Sequence, residues 1–153
     1  MKKTNAARIL DRHKLPYTLH DYPVDAEDLS VSHVAQSLGV APAVLFKTLV
    51  TLNEHHHPII AVISGDRELN LKALASTAGC KKCTMLPMKE LLKITGYVRG
   101  GCSPLGMKKL FPTYIDKRAL GHEKIFVSAG VRGLQLQLNP LALIEVLGAK
   151  ILG

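Results

Sequence analysis

Hydrophobic residues recur at helical spacing in some segments of the chain and at alternate positions in others, which predicts a succession of helices and strands. Most helical segments have Thr, Ser or Asn before the first turn and Gly after the last, the residues preferred at helix ends. In the first segment, Ala7, Leu10 and Lys14 fall on one face. The expected helices are residues 4–14, 30–38 (beginning at Ser30 or Ser32), 70–78, 87–94 and 139–147, with a short helical turn at Pro42.

The strand-like segments are short, apolar and rich in β-branched residues. Residues 46–52 and 59–64 are separated by a polar loop at 53–57, which predicts a hairpin. Further strands are expected at residues 17–22, from about 81, 97–99, 113–116, 125–128, 134–138 and 149–152. Because hairpins outnumber long crossovers early in the chain, the pattern predicts an α/β (α+β) fold, a mixed, mostly antiparallel, barrel-like sheet with flanking helices. No repeat or linker divides the chain, so residues 1–153 are expected to form a single domain.

Composition adds a basic surface to this picture. Twenty Lys and Arg residues face twelve Asp and Glu residues, giving a net charge of +8 and a pI near 9.5. Such an excess suits a nucleic-acid partner, or equally a solvated basic surface without one. Aromatic residues make up only 5% of the chain, which argues against a protein that stacks successive bases on exposed rings.

The sequence favours a cytoplasmic protein. The basic N-terminus, residues 1–5, is not followed by the apolar segment of a signal peptide, and no apolar run is long enough to cross a membrane. Three cysteines, an odd number, cannot all form internal disulfides.

Familiar catalytic and metal-binding motifs are missing or incomplete. The pair Cys80 and Cys83 has the spacing of a redox or zinc motif but lacks a second ligand pair, and the histidines at 55–57 fall in the predicted hairpin loop. Neither pattern predicts a metal or another cofactor. The chain has no G-x-S-x-G, H-E-x-x-H or Walker motif, so a hydrolytic activity would take its nucleophile from outside the protein.

Two features are candidates for chemistry. Lys47 interrupts an otherwise apolar strand, and such a lysine either extends outward from an edge strand or projects into a polar pocket. Residues 96–106 contain four glycines and a proline, and form either a plain surface loop or a backbone cradle for an oxyanion or phosphate. A second glycine segment, residues 128–133, is suited to the opposite wall of such a site.

Taken together, these segments resemble the YbaK/EbsC family of trans-editing Cys-tRNA(Pro) deacylases, relatives of the editing domain of prolyl-tRNA synthetase. The resemblance runs over nearly the whole chain. Its most specific parts are Phe46-Lys47-Thr48-Leu49, Gly96-Tyr97, Gly100-Gly101-Cys102-Ser103-Pro104-Leu105-Gly106, Lys108-Lys109, Pro112-Thr113, Ile115-Asp116, Val127-Ser128 and Arg132-Gly133-Leu134.

The resemblance implies a deacylase that clears Cys-tRNA(Pro), with Cys-tRNA(Cys) as a further substrate, and that needs no cofactor. It implies catalytic roles for Lys47, Gly101 and Ser103. The implied substrate-binding residues are Tyr22, Thr48, Cys102, Pro104, Ser128, Gly130, Arg132 and Gln135. The implied partners are the acceptor end of aminoacyl-tRNA, with contacts from Lys81, Lys82, Lys108 and Lys109, and prolyl-tRNA synthetase.

In this family the thiol of the substrate cysteine is proposed to attack its own ester, which fits the missing protein nucleophile. One position departs from the pattern, because Gln135 stands where these deacylases commonly carry an aspartate. Two alternatives therefore stay open. One is a non-catalytic module that binds tRNA or a synthetase, and the other is a related deacylase for Ala- or Ser-tRNA.

Overall fold

The computed structural model describes residues 3–153, and the first two residues of the basic N-terminus lie outside the described part. The α-helices within it are α1 (Asn5–Arg12), α2 (Val31–Leu38), α3 (Leu71–Ala78), α4 (Leu91–Thr95) and α5 (Pro140–Leu147). Short 3-10 helices occupy Pro42–Val44, Met88–Glu90 and Lys117–Gly121. No helix of residues 3–153 combines the length and the apolar character that crossing a membrane requires.

The predicted helix ends are largely confirmed. The side chains of Thr4, Ser30, Asn70 and Asn139 accept hydrogen bonds from first-turn N–H groups, and Ser30 rather than Ser32 is the cap of α2. Glycines with positive φ follow α2, α3, α4 and α5.

Two predicted helices differ in detail. Helix α1 ends at Arg12, and Lys14 has a φ of 56° beyond it, so Lys14 does not share the helical face with Leu10. The helix expected over residues 87–94 begins as the 3-10 turn Met88–Glu90 and becomes α-helical only at Leu91.

The strands form two sheets. The strands are β1 (Tyr17–Asp21), β2 (Phe46–Asn53), β3 (Pro58–Ser64), β4 (Cys83–Met85), β5 (Thr113–Asp116), β6 (Ile125–Ser128), β7 (Leu134–Leu138) and β8 (Lys150–Leu152). The first sheet has the order β1-β7-β6 and the second the order β4-β2-β3-β5-β8. Only β3–β5 and β5–β8 pair in parallel among the described strands, and one bridge between Leu45 and Phe126 joins the two sheets. The predicted mixed, mostly antiparallel fold class is confirmed.

The strand predicted at residues 97–99 is wrong. Gly96 has a φ of 86° and Gly100 a φ of 84°, so the chain turns at both ends of the segment. Tyr97 is held by local bonds, since its N–H donates to the Thr95 hydroxyl and its own hydroxyl donates to the carbonyl of Leu105. The alternating residues Tyr97, Val98 and Arg99 therefore belong to a loop, and this loop packs against the segment around Leu105.

The largest hydrophobic cluster lies where the two sheets and α1 and α5 meet. It includes Leu10 and Phe46, Ile115, Leu136 and Leu143, each at most 1% exposed. A second cluster packs α3 against the other face of β3 through Leu74, Ala61 and Ile63. Strand β2 thus has a hydrophobic cluster on each of its faces. The accessible part of this strand is a stretch of one edge.

Candidate active site

A pocket of about 500 Å³ opens along the exposed edge of β2. Its other walls are the start of α2, the segment from β4 to α4, the residues Arg99, Gly100 and Cys102, and the facing ends of β6 and β7. The volume lies within the range of about 300–1,000 Å³ that is typical of small-molecule sites. Six residues expected in the site line this pocket, namely Tyr22, Lys47, Thr48, Cys102, Ser128 and Gln135.

Lys47 and Thr48 are neighbours on β2 and reach the pocket from opposite faces of the strand. Lys47 pairs with Ile63 and Thr48 with Val62, and successive side chains of a strand point to opposite faces. Both line the pocket because it lies along the strand edge. Lys47 has no carboxylate partner within residues 3–153, so its ammonium group is available to an anion.

The N-terminus of α2 lies in the same pocket as Lys47. The first turn of this eight-residue helix begins at the cap Ser30, and Ser30, Val31 and Ser32 all line the pocket. The N–H groups at the start of a helix carry a partial positive charge and favour anions. This end of the pocket is therefore suited to a phosphate group.

Two buried polar atoms in the pocket have no hydrogen-bond partner among the described residues: Thr48 Oγ1 and Gln135 Oε1. Gln135 is only 5% exposed and pairs across the sheet with Ser128, whose hydroxyl accepts from the Gly130 N–H at 3.2 Å. A buried polar group without a partner costs about 1–3 kcal/mol. Both atoms belong to residues that line one pocket, so a polar ligand that reaches them would satisfy both.

The glycine-rich loop forms a wall of the pocket, but its residues differ in position. Gly100 lines the pocket, whereas Gly101 packs behind it, where a Cβ would lie 3.2 Å from backbone atoms of Val131 and Arg132. Ser103 is fully buried, and its hydroxyl accepts from the Leu105 N–H at 3.2 Å. These contacts place Gly101 and Ser103 in the support of the loop.

Pro104 faces away from the pocket that contains Lys47. It is buried and lines a smaller pocket of about 190 Å³, beside Arg12 and Lys109. The main pocket is therefore lined only by loop residues that precede Pro104, and Pro104 itself lies outside it.

The backbone of this loop has unused donors. The N–H of Gly101 donates to the carbonyl of Val98 at 3.0 Å. The N–H groups of Cys102 and Ser103 have no acceptor within residues 3–153. Donors of this kind are what an oxyanion site requires.

The opposite glycine segment is tied to the first through side chains. Gly130 has a φ of 104°, and a Cβ there would lie 3.0 Å from the Tyr97 ring. Arg132 Nε donates to the carbonyl of Arg99 at 2.8 Å. Neither Gly130 nor Arg132 lines the main pocket, and both hold the two loops together at its mouth.

The pocket contains no activated nucleophile. Burial raises the pKa of the Cys102 thiol to about 12, so the thiol is protonated at neutral pH. No His, Asp or Glu of the described chain lines the pocket, so neither Cys102 nor Ser128 has a general base. The arrangement supplies positive charge and hydrogen bonds but no attacking group.

The two incomplete metal motifs lie outside this pocket. Cys83 is buried, and desolvation raises the pKa of its thiol. The exposed histidines follow Asn53, whose side chain accepts from the N–H groups of His55 and His57. Within residues 3–153, no three His, Cys, Asp or Glu side chains form a group able to hold a metal ion.

Several pocket residues were not expected from the sequence. They are Arg99, the residues at the start of α2, and the apolar side chains Met85, Leu86, Met88 and Leu91. Arg99 lies in the glycine-rich run, which is a local signal for it. The methionines carry no such signal, because their place in the site depends on where β4 leaves β2.

Comparison with known families identifies the class of this protein. Residues 27–146 match the aminoacyl-tRNA editing domain, and the chain belongs to that family. It is 48% identical over 145 residues to EbsC of Enterococcus faecalis, designated as a candidate Cys-tRNA(Pro)/Cys-tRNA(Cys) deacylase, covering 95% of this chain and 88% of that one. It is 30% identical over 126 residues to the proline–tRNA ligase of Geotalea daltonii, covering 78% of this chain and 22% of the ligase.

Solved structures share the fold. The hypothetical protein APE2540 superposes with a TM-score of 0.88 at 24% identity, covering 97% of each chain. A candidate trans-editing enzyme for prolyl-tRNA synthetase superposes with a TM-score of 0.81 at 22% identity, covering 98% of this chain and 96% of that one. The expected family and fold class are thus confirmed.

Proposed function

We propose that this protein is a cytoplasmic trans-editing enzyme whose single domain, residues 1–153, deacylates Cys-tRNA(Pro) and Cys-tRNA(Cys). The observation that carries the proposal is a pocket with an unpaired lysine and two unpartnered buried polar atoms but no nucleophile–base pair. Such a site suits a substrate that brings its own nucleophile. The similarity to EbsC supports cysteine as the amino acid.

The proposed reaction needs no nucleophile from the protein. The cysteine sulfur forms a bond to its own ester carbonyl carbon, and the bond from that carbon to the tRNA oxygen breaks. The thiol proton passes to the departing tRNA hydroxyl, and a thiolactone is left for water to open. Holding the thiol against the carbonyl makes the step intramolecular, which is where the rate gain arises.

The chain's residues act by position and charge. The N–H group of Cys102, in the loop that Gly101 and Ser103 support, stabilises the negative oxygen that develops during the attack. Lys47, with the N-terminus of α2, holds the phosphate of the terminal nucleotide. Thr48 and Gln135 hydrogen-bond the aminoacyl group, and the neutral Gln135 amide replaces the family's aspartate without adding charge.

The test is deacylation of tRNA(Pro) charged with Cys, Ala or Ser, each with and without prolyl-tRNA synthetase. We expect rapid loss of cysteine, slow loss of alanine and serine, and a fall of roughly ten- to a hundredfold in kcat/KM for Lys47→Ala, because a hydrogen bond to a charged phosphate is worth about 1.5–3 kcal/mol. Lys72→Ala, which removes an exposed lysine of α3, is the control.

The outcomes separate the alternatives. Loss of Ala or Ser faster than Cys indicates a deacylase that uses water rather than the substrate thiol. Binding of tRNA without cleavage of any ester indicates a non-catalytic module. Wild-type activity in a folded Lys47→Ala variant contradicts the role assigned to this lysine.

A further inference from the structure

One edge of β2 is covered in two places and open between them. Near its start, Leu45 forms a bridge with Phe126. Toward its end, Thr51–Asn53 pair with β4, and the last bond of this pairing runs from the Leu86 N–H to the Val50 carbonyl at 3.0 Å. No described strand pairs with this edge between Leu45 and Val50.

Pro87 explains why the edge is left open. Antiparallel pairing continued past Leu86 would bring Met88 opposite Thr48. Proline has no N–H to donate, and it commonly ends a paired strand. After Pro87 the chain turns into the 3-10 helix Met88–Glu90, so Met88 lines the pocket instead of covering the edge.

The exposed backbone groups belong to Thr48. Val50 presents its carbonyl to this edge, and the N–H and C=O of one residue in an antiparallel strand point the same way, alternating along the strand. Thr48 therefore presents an N–H and a C=O side by side to the pocket. This is a donor–acceptor pair that no other part of residues 3–153 occupies.

Apolar side chains flank the open edge. Met85, Leu86, Met88 and Leu91 line this part of the pocket, and Met85 and Met88 are 46% and 58% exposed. Methionine makes favourable contacts with aromatic rings and adapts to their shape. A donor–acceptor pair between apolar walls is the arrangement that binds a flat heteroaromatic ring by its edge.

The size of the pocket calls for a second occupant. A cysteinyl group is far smaller than the drug-sized ligands that fill pockets of about 300–1,000 Å³. The pocket of about 500 Å³ therefore has room for the nucleoside that carries the amino acid. In a charged tRNA this nucleoside is the terminal adenosine.

We propose that the open edge of β2 is the subsite for the terminal adenine, an inference that rests on the proposed function. The adenine amino group donates to the Thr48 carbonyl, and ring nitrogen N1 accepts from the Thr48 N–H. Met85 and Met88 lie against the base. Recognition of an unstacked base by its Watson–Crick edge between apolar side chains is a general mode of nucleotide binding.

Two non-cleavable ligands test the subsite by calorimetry. One is adenosine carrying cysteine through a 3′-amide in place of the ester, and the other is its inosine counterpart. Inosine reverses the pattern, with an acceptor at position 6 and a donor at N1. We expect the inosine ligand to bind at least about tenfold more weakly, because both hydrogen bonds are lost and two groups are left unpaired.

A pair of variants tests the apolar walls. Met88→Ala is expected to weaken the adenosine ligand roughly two- to tenfold, the worth of a sulfur–ring contact. Leu92→Ala is the matched control, since Leu92 is 56% exposed nearby but does not line the pocket. The preference for adenine over inosine is expected to persist in both variants, because the backbone provides it.

Three results would overturn this inference. They are affinities for the two ligands within twofold of each other, no binding of either ligand, and an equal loss for Met88→Ala and Leu92→Ala. Deacylation of Cys-tRNA(Pro) by the wild type is measured separately. Cleavage without a preference for adenine leaves the proposed function standing and removes only the subsite.

Discussion

At the residue scale, Thr48 combines a cost to stability with a place in the pocket. Its buried hydroxyl has no partner among the described residues. We expect Thr48→Val, which keeps the shape and removes the hydroxyl, to raise the free energy of unfolding by about 1 kcal/mol. The same change is expected to lower kcat/KM for Cys-tRNA(Pro) about tenfold, since the ligand loses a hydrogen bond. Urea unfolding and steady-state kinetics measure the two effects.

Thr51 provides the matched control on the same strand. Its hydroxyl is also buried, but it donates to the Ile59 carbonyl at 2.8 Å. Thr51→Val is expected to destabilise the protein by about 1 kcal/mol, because the hydrogen bond of its hydroxyl is lost. A destabilised Thr48→Val variant would contradict the reading of Thr48 as an unsatisfied group.

Cys102 is expected to make stability depend on alkaline pH. Its pKa rises from 9.0 to about 12 on burial, so the thiol ionises more easily in the unfolded chain. Unfolding therefore releases a proton between pH 9 and pH 12, and the free energy of unfolding falls as the pH rises through that range. Tyr97 adds to the fall above pH 10, since burial raises its pKa from 10.0 to about 12.

Cys102→Ala separates these two contributions. The variant is expected to reduce the decline that begins near pH 9, leaving the share of Cys83, and to keep the part that begins near pH 10, as measured by urea unfolding at fixed pH under reducing conditions. Because the protonated thiol is not a nucleophile, the variant is also expected to retain deacylase activity within a few-fold. Complete loss of activity would contradict the substrate-thiol mechanism.

At the scale of elements, the two glycine loops depend on close contact at Gly101. A Cβ on Gly101 would approach backbone atoms of Val131 and Arg132 to 3.2 Å, and backbone cannot move aside cheaply. Gly101→Ala is expected to cost about 1–3 kcal/mol of stability and to lower kcat more than it changes KM, because the loop carrying the oxyanion donor shifts. Thermal unfolding and kinetics provide both measurements.

Gly121→Ala is the control for this substitution. Gly121 ends a 3-10 helix, and a Cβ there meets nothing within 4 Å. This variant is expected to keep the stability and activity of the wild type. Equal effects of the two substitutions would mean that the loss at Gly101 is not caused by the contact between the loops.

The same elements show what the sequence could and could not predict. Features with local signals were predicted correctly, such as the cap at Asn70 and the hairpin of β2 and β3, because neighbouring residues determine them. The segment at residues 97–99 alternates like a strand but is turned by flanking glycines and by the contact of Tyr97 with Leu105. The two turns and this contact within the same loop decide the conformation, and neither changes the alternating pattern of residues 97–99.

The candidate site divides in the same way. Lys47 could be singled out because it interrupts an apolar strand. The pattern did not determine whether its side chain extends outward or into a pocket, and in the structure Lys47 lines the pocket. Met85 and Met88 read as ordinary apolar residues. They line the pocket because Pro87 ends one pairing of β2 just before Thr48, and this consequence follows from the register of two strands rather than from either segment alone.

At the scale of the whole molecule, the positive charge exceeds what the pocket uses. The net charge is +8, whereas the pocket contains only Lys47 and Arg99 as basic side chains. The remaining charge includes two exposed lysine pairs on different elements. Lys81 and Lys82 precede β4, which reaches the pocket, and Lys108 and Lys109 follow the glycine-rich loop, with Lys109 beside the smaller pocket. If the substrate is a charged tRNA, each pair offers a different path for the acceptor stem away from the site.

The salt dependence of kcat/KM is expected to identify the path. Binding a polyanion releases counterions, so log kcat/KM for Cys-tRNA(Pro) should fall linearly with log salt, and each lost phosphate contact reduces that slope by about 1. We expect one double variant, either K81A with K82A or K108A with K109A, to reduce the slope by about 1–2, and the other to leave it unchanged. The lysine pair whose removal reduces the slope is the one that contacts the RNA backbone. We expect kcat at saturating tRNA to stay constant in both variants, because neither pair touches the ester. An unchanged slope in both variants would mean that the surplus charge is only a solvated surface.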